Sequence, residues 1–131
     1  MKAEKDIRVL IVEPGRAPEE AVIANQLEAF QSEVGGYIEC TPLSDTACCI
    51  VNEEGKIDGL PLNRPLFHKG TGEIYDIIAG TFIVAGDDYR TGEFVSLTDE
   101  QVEEYKKQFA NPCMFLNIGG KIMAIPVDPE E

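Results

Sequence analysis

His68 is the only histidine of the chain and the first candidate for catalytic chemistry. Nucleophilic catalysis needs a nucleophile, a base within hydrogen-bond reach and a third group that orients the base. His68 lies in a polar stretch with no Ser or Cys beside it, and no motif surrounds the three serines. Two glycine-rich stretches, 70–72 and 119–121, match neither phosphate-binding fingerprint and are interpreted as turns. The residues therefore favour a non-enzymatic protein.

Asp87 and Asp88, with Glu93 nearby in the sequence, are the cluster of acidic residues that most resembles a cation site. A Ca²⁺ loop alternates oxygen ligands around a glycine turn, and that spacing is absent here. We expect no metal and no cofactor. A hydrolase that uses the two aspartates is the weakest functional hypothesis.

Asn63 and Arg64 lie in a Pro-rich loop, and Arg64 is the only basic residue between Lys56 and Lys69. One interpretation is an ion pair that braces the loop, with Asp76 or Glu73 as the acid. The other is a small-ligand or nucleotide site lined by Asn63, Arg64 and His68. The sequence leaves both open.

Charge is the strongest signal in the chain, which has 131 residues and a formal net charge of −13. A surplus of carboxylates disfavours binding to nucleic acid and to anionic membranes. Between Arg16 and Lys56 there is no base but eight acids: Glu19, Glu20, Glu28, Glu33, Glu39, Asp45, Glu53 and Glu54. A second stretch, 87–104, holds seven acids against Arg90 alone. Such surfaces attract basic proteins, although solubility alone is an alternative explanation.

The four cysteines, Cys40, Cys48, Cys49 and Cys113, lie within apolar stretches of a chain whose start has no signal-peptide pattern. We expect them to be buried thiols rather than disulfides or zinc ligands. The adjacent Cys48 and Cys49 would point to opposite faces of a strand. No run reaches the ~18 apolar residues of a membrane span, so we expect a cytoplasmic protein.

The patterns predict one domain over 1–131, with an ordered core of about 6–127. An α+β fold is expected: a mostly antiparallel sheet of about six or seven strands with two helices packed on one face. Strands are predicted over 7–12, 19–24, 37–43, 47–51, 56–60, 74–85, 93–97 and 121–125. The stretches 47–51 and 56–60 are predicted to form a hairpin, and 74–85 the centre of the sheet.

Two helices are predicted between these strands. The first is capped at Asn25, buries Leu27, Phe30 and Val34, and ends at the glycines of 35–36; a single helix beginning at Pro18 is the alternative. The second begins after Thr98, whose capping box is completed at 101, and buries residues 102, 105 and 109.

Several of these segments resemble a family of small proteins of unknown function from Firmicutes, their phages and their conjugative elements. The stretches IRVLIVEPG (7–15), NEEGKIDGLPLNR (52–64), GEIYDIIAGTFIVAG (72–86) and FVSLTDEQ (94–101) carry the resemblance. It covers roughly 7–127 and assigns no catalytic residues. The resemblance implies a mobile-element setting, where small acidic proteins often serve as accessory or counter-defence factors.

The leading hypothesis is therefore a non-enzymatic acidic accessory protein that binds a basic protein surface. Its candidate contacts are the acids Glu53, Glu54, Asp87 and Asp88. The alternative is the small-ligand or nucleotide-binding module around Asn63 and Arg64. The oligomeric state does not follow from the sequence.

Overall fold

A computed structural model describes residues 4–130. Its elements are β1 (Asp6–Val12), β2 (Glu19–Ala24), α1 (Leu27–Val34), β3 (Ile38–Ser44), β4 (Ala47–Asn52), β5 (Leu62–Phe67), β6 (Ile74–Ala79), β7 (Phe82–Asp88), β8 (Glu93–Val95), α2 (Asp99–Gln108), β9 (Cys113–Ile118) and β10 (Lys121–Pro126).

Six strands form the main sheet, in the order β2-β1-β7-β4-β3, with β8 paired to β7 beside β1. Every pairing in this sheet is antiparallel. The strands β5 and β6 form one separate hairpin, and β9 and β10 form another. The predicted α+β class with a mostly antiparallel sheet is confirmed.

The main sheet is covered on both faces, because its central strands are apolar at successive positions. Phe82 and Val84 of β7 belong to the core that contains the buried residues of α2, whereas Ile83 and Ala85 belong to the core beneath α1. Successive side chains of a strand point to opposite faces. The helices therefore lie on opposite faces of the sheet, and the prediction that they share one face is wrong.

The apolar run 74–85 is divided between two strands that belong to different sheets. The division falls at Gly80, whose φ of +81° is accessible mainly to glycine. Its N–H donates to the carbonyl of Pro61 at 2.7 Å. The strand β7 after this bend occupies the centre of the main sheet, as predicted for the run, while β6 leaves to pair with β5.

The predicted hairpin between 47–51 and 56–60 is wrong. The strand β4 pairs with β3 on one side and β7 on the other, so no edge remains for a third partner. Residues 53–59 form consecutive turns instead, in which Asp58 N–H donates to Glu54 O at 2.8 Å and Gly59 N–H to Lys56 O at 3.2 Å. The strands β5 and β9 were not predicted, since Pro65 interrupts β5 and β9 is mostly exposed.

The helix ends agree with the sequence patterns more closely at α2 than at α1. Thr98 forms the predicted capping box with Gln101. At α1 the N-cap is Gln26 without a side-chain bond, because the Asn25 amide donates elsewhere, to the main-chain oxygens of Glu4 and Phe94 at 3.0 Å. The prediction that Leu27 is buried is also wrong, since it is 51% exposed.

Candidate binding surface

The face of the sheet covered by α1 carries acids on several of its elements. Exposed Glu28 and Glu33 lie on α1, and exposed Glu19 lies on β2 in the same alternation as Ala21, which packs against this core. Asp87 follows Ala85 by two positions on β7 and therefore shares its face. These positions are fixed by regular elements, so the carboxylates are attached to a rigid framework.

The same face lacks basic side chains among its elements. Within residues 4–130, the main-sheet strands and α1 contain a single base, Arg8. Arg8 lies on the opposite face, where its guanidinium bonds to Glu20 at 2.8 Å and to Asp99 of α2. The carboxylates on the α1 face therefore have no cation supplied by the strands or the helix that form it.

Asn52 holds the turn that contains Glu53 and Glu54 against the end of α1. This buried side chain donates from Nδ2 to the carbonyl of Val34 at 3.1 Å, and its Oδ1 accepts from the N–H of Glu54 at 2.8 Å. Gly36 permits the contact, because a Cβ there would lie 2.9 Å from Asn52 Nδ2. Apart from the place of Asn52 before a turn, no pattern in the sequence indicates this role. The turn also packs on β6, where Glu53 lines a small cavity with Lys56 and Asp76, so of the two glutamates only Glu54 is held beside the end of α1.

We call the set of Glu19, Glu28, Glu33, Glu54 and Asp87 the acidic α1 surface. One end of it lies at the C-terminus of α1, which has no basic residue in its last turn. The C-terminus of a helix bears a partial negative charge that favours cations. Glu33 in this last turn and Glu54 beside it raise the negative potential further, and a bound cationic group would reduce it.

Asp87 and Asp88 do not form a joint carboxylate site. As neighbours on β7 they point to opposite faces, and the carboxylate of Asp88 accepts hydrogen bonds from the N–H and Nε of Arg90 at 3.0 and 3.3 Å. These bonds hold the pKa of Asp88 below its ordinary value. Within residues 4–130, no three His, Cys, Asp or Glu side chains are grouped closely enough to hold a metal ion.

Arg64 lies inside the protein, with 1% of its surface exposed. Its Nε and Nη2 donate to the carbonyl of Phe109 at the end of α2, at 3.1 and 2.9 Å, and Nη2 also donates to the carbonyl of Arg16 at 2.6 Å. Burial lowers the pKa of this guanidinium. The predicted ion pair with Asp76 or Glu73 is wrong, because Asp76 pairs with Lys56 and main-chain oxygens surround Arg64.

Asn63 is buried beside Arg64 and joins three parts of the chain. Its Nδ2 donates to the carbonyls of Val12 and Gly80, both at 2.9 Å, and its Oδ1 accepts from Nη1 of Arg64 at 2.8 Å. His68 is exposed at the turn of the β5–β6 hairpin, with its ring centroid 4.8 Å from that of Tyr75. The structure thus separates His68 from the buried pair with which the ligand hypothesis grouped it.

The cysteines differ in exposure. Cys48 and Cys49 are buried on opposite faces of the sheet, as predicted, but Cys40 is exposed and Cys113 half-buried, so the prediction of four buried thiols is wrong. A hydrogen bond from the Cys48 thiol lowers the pKa of Cys40, whereas this bond and burial raise the pKa of Cys48. Burial likewise raises the pKa of Cys49.

The fold and this surface define a small α+β domain whose main sheet carries carboxylates on the face covered by α1. The model of a domain of unknown function, DUF3846, matches residues 7–110, and the chain belongs to that family. The match ends before the β9–β10 hairpin. No curated protein and no solved structure matches the chain. Neither of the two helices described is long and apolar enough to cross a membrane.

Proposed function

We propose that the chain is a non-enzymatic accessory protein of mobile elements whose acidic α1 surface binds a basic surface on another protein. One observation carries the proposal: the strands and helix of this face present carboxylates and supply no Lys or Arg. Side chains on regular elements lose little conformational freedom when a partner binds. More of the electrostatic attraction therefore remains as binding free energy.

On the opposite face of the sheet, carboxylates are paired with basic side chains, and this difference favours the α1 face as the binding surface. There Arg8 pairs with Glu20 and Asp99, and Lys107 lies 3.7 Å from Glu103 of the same helix. Apart from Asp87, the second acid-rich stretch of the sequence therefore lies among cations that neutralise part of its charge. The acidic α1 surface has the stronger attraction for a basic partner.

A rigid row of carboxylates offers a partner the same kind of charge as a nucleic-acid backbone. We infer that the partner is a protein whose basic surface otherwise holds nucleic acid, which would make the chain a counter-defence factor. The attraction between such surfaces acts over about 10 Å at 0.1 M salt and is weakened as salt rises. Binding should therefore be fast and salt-sensitive.

The proposal is tested with immobilised chain and host lysate at about 50 mM and about 500 mM salt, where screening differs severalfold. The test variant is Glu28→Lys with Glu33→Lys, and the matched control is Glu100→Lys with Glu104→Lys on α2. Both pairs are exposed, and both change the net charge by the same amount. We expect a partner captured at low salt only, lost in the α1 variant and retained by the α2 variant.

Two results would contradict the proposal. One is the absence of any salt-sensitive partner at low salt. The other is an equal loss of binding in the two variants, which would show that net charge alone governs association.

A further inference from the structure

Exposed apolar side chains are concentrated on the two small hairpins. Among residues 4–130, fourteen large apolar side chains are exposed, and nine of them lie on or directly after β5, β6, β9 and β10. We call these nine the hairpin surface: Leu62, Phe67, Tyr75, Met114, Leu116, Ile118, Ile122, Met123 and Val127. The other five are distributed over separate parts of the chain.

The hairpin surface is continuous through Met123. On the outer face of the β9–β10 hairpin, Met123 pairs across the strands with Leu116, beside Met114 and Ile118. Met123 also lines a groove of about 850 Å³ between β6 and β10, together with Tyr75. The groove is also lined by Lys56, Glu73, Asp76 and Lys121, so the outer face and the groove form one connected area whose charged residues lie in the groove.

The size of this area is that of a protein interface. The nine residues are each 37–59% exposed, which together equals about four whole side chains, or roughly 800 Å² at about 200 Å² for each. The largest apolar patch on a typical monomer is about 300–600 Å². A standard interface buries about 800 Å² on each partner.

The charge of the hairpin surface sets it apart from the remainder of the chain. The charged residues of the two hairpins and of the groove, apart from the buried Arg64, are Lys56, Lys69, Glu73, Asp76 and Lys121. These sum to +1, in a chain of net charge −13. Two copies that meet here keep their carboxylates apart, whereas contact elsewhere brings like charges together.

We propose that two copies of the chain associate through the hairpin surface as a two-fold symmetric dimer. In such an interface the same patch serves on both subunits, so an apolar patch of low charge complements itself. The β5–β6 hairpin packs on the α2 side through Leu66 and Ile78, which leaves the acidic α1 surface free. The dimer is independent of the proposed function.

The test measures the molar mass by sedimentation or by light scattering over a concentration series reaching about 300 µM, because an interface of this size gives dissociation constants from micromolar to picomolar. The variant is Met123→Lys, at the junction of the groove and the outer face. The matched control is Val22→Lys, which introduces the same charge at an apolar residue of β2 that is 70% exposed. We expect a dimer whose dissociation constant rises at least about tenfold in Met123→Lys and is unchanged in the control.

A circular dichroism spectrum shows whether each variant is folded, and Leu116→Lys serves as the second variant if Met123→Lys is not. Three outcomes would overturn the proposal: a monomer at the highest concentration, equal weakening by the control substitution, or a dimer that neither hairpin variant affects. A chain that stays monomeric but binds an apolar dye lost in Met123→Lys would assign the surface to another partner.

Discussion

Replacing Arg64 with methionine is expected to lower the free energy of unfolding by about 2–6 kcal/mol, from two buried acceptors that lose their donor. The guanidinium serves three acceptors, the carbonyls of Phe109 and Arg16 and the side-chain oxygen of Asn63. A buried acceptor left without a donor costs about 1–3 kcal/mol, more where the lost donor was charged. The carbonyl of Arg16 is only partly buried, and water can replace its bond at little cost.

The assay is urea denaturation followed by circular dichroism, with the free energy extrapolated to water. Arg90→Met is the matched control, because the Arg90 side chain is 74% exposed and its pair with Asp88 lies at the surface. Exposed pairs contribute about 0–1 kcal/mol. Arg64→Lys should also destabilise the protein, since an ammonium group cannot reproduce the planar donor geometry.

A change of less than about 0.5 kcal/mol in Arg64→Met, similar to that of a neutral surface substitution, would refute this reasoning. It would mean that the guanidinium does not hold α2, the β1–β2 loop and β5 together. That result would instead support the ligand-binding hypothesis, in which replacing Arg64 weakens binding of the ligand and leaves the stability of the free protein unchanged.

Two further predictions concern side chains at the acidic α1 surface and at the adjacent edge of the sheet. Asn52→Ala should cost about 1–3 kcal/mol in urea denaturation, because the carbonyl of Val34 loses its donor and the N–H of Glu54 its acceptor. Cys40 should be the first thiol alkylated by iodoacetamide under native conditions, and at a lower pH than an ordinary cysteine, because the Cys48 hydrogen bond lowers its pKa and the thiolate is the reactive form.

Each of these predictions has a control within the chain. Asn52→Asp keeps an acceptor for Glu54 but places a largely buried carboxylate against the carbonyl of Val34 at the negative end of α1, so it should destabilise by more than the alanine variant. The Cys48→Ala variant should move the alkylation of Cys40 to higher pH. Unchanged alkylation in that variant, or earlier reaction of Cys113, whose pKa is raised by burial, would contradict the thiol assignment.

The sequence by itself determined the elements whose signals lie within a few residues. The capping box of α2 joins positions three apart, and Gly35 ends α1 with a φ of +81°. The apolar strands β1, β4 and β7 and the absence of bases between Arg16 and Lys56 were equally visible. The α+β class follows from these local patterns, because hydrophobic periodicity and caps act over single turns and strands.

Only the tertiary structure decided which surfaces these elements share. Whether α1 and α2 cover one face or two depends on the pairing of strands distant in the chain, and the partner of Arg64 is a carbonyl 45 residues away. The bend at Gly80 likewise depends on the hydrogen bond from its N–H to the carbonyl of Pro61, which lies in another segment of the chain. Such contacts form in the packing that buries the most apolar surface while giving every buried polar group a hydrogen-bond partner. That packing depends on the whole chain, so no short segment contains the information.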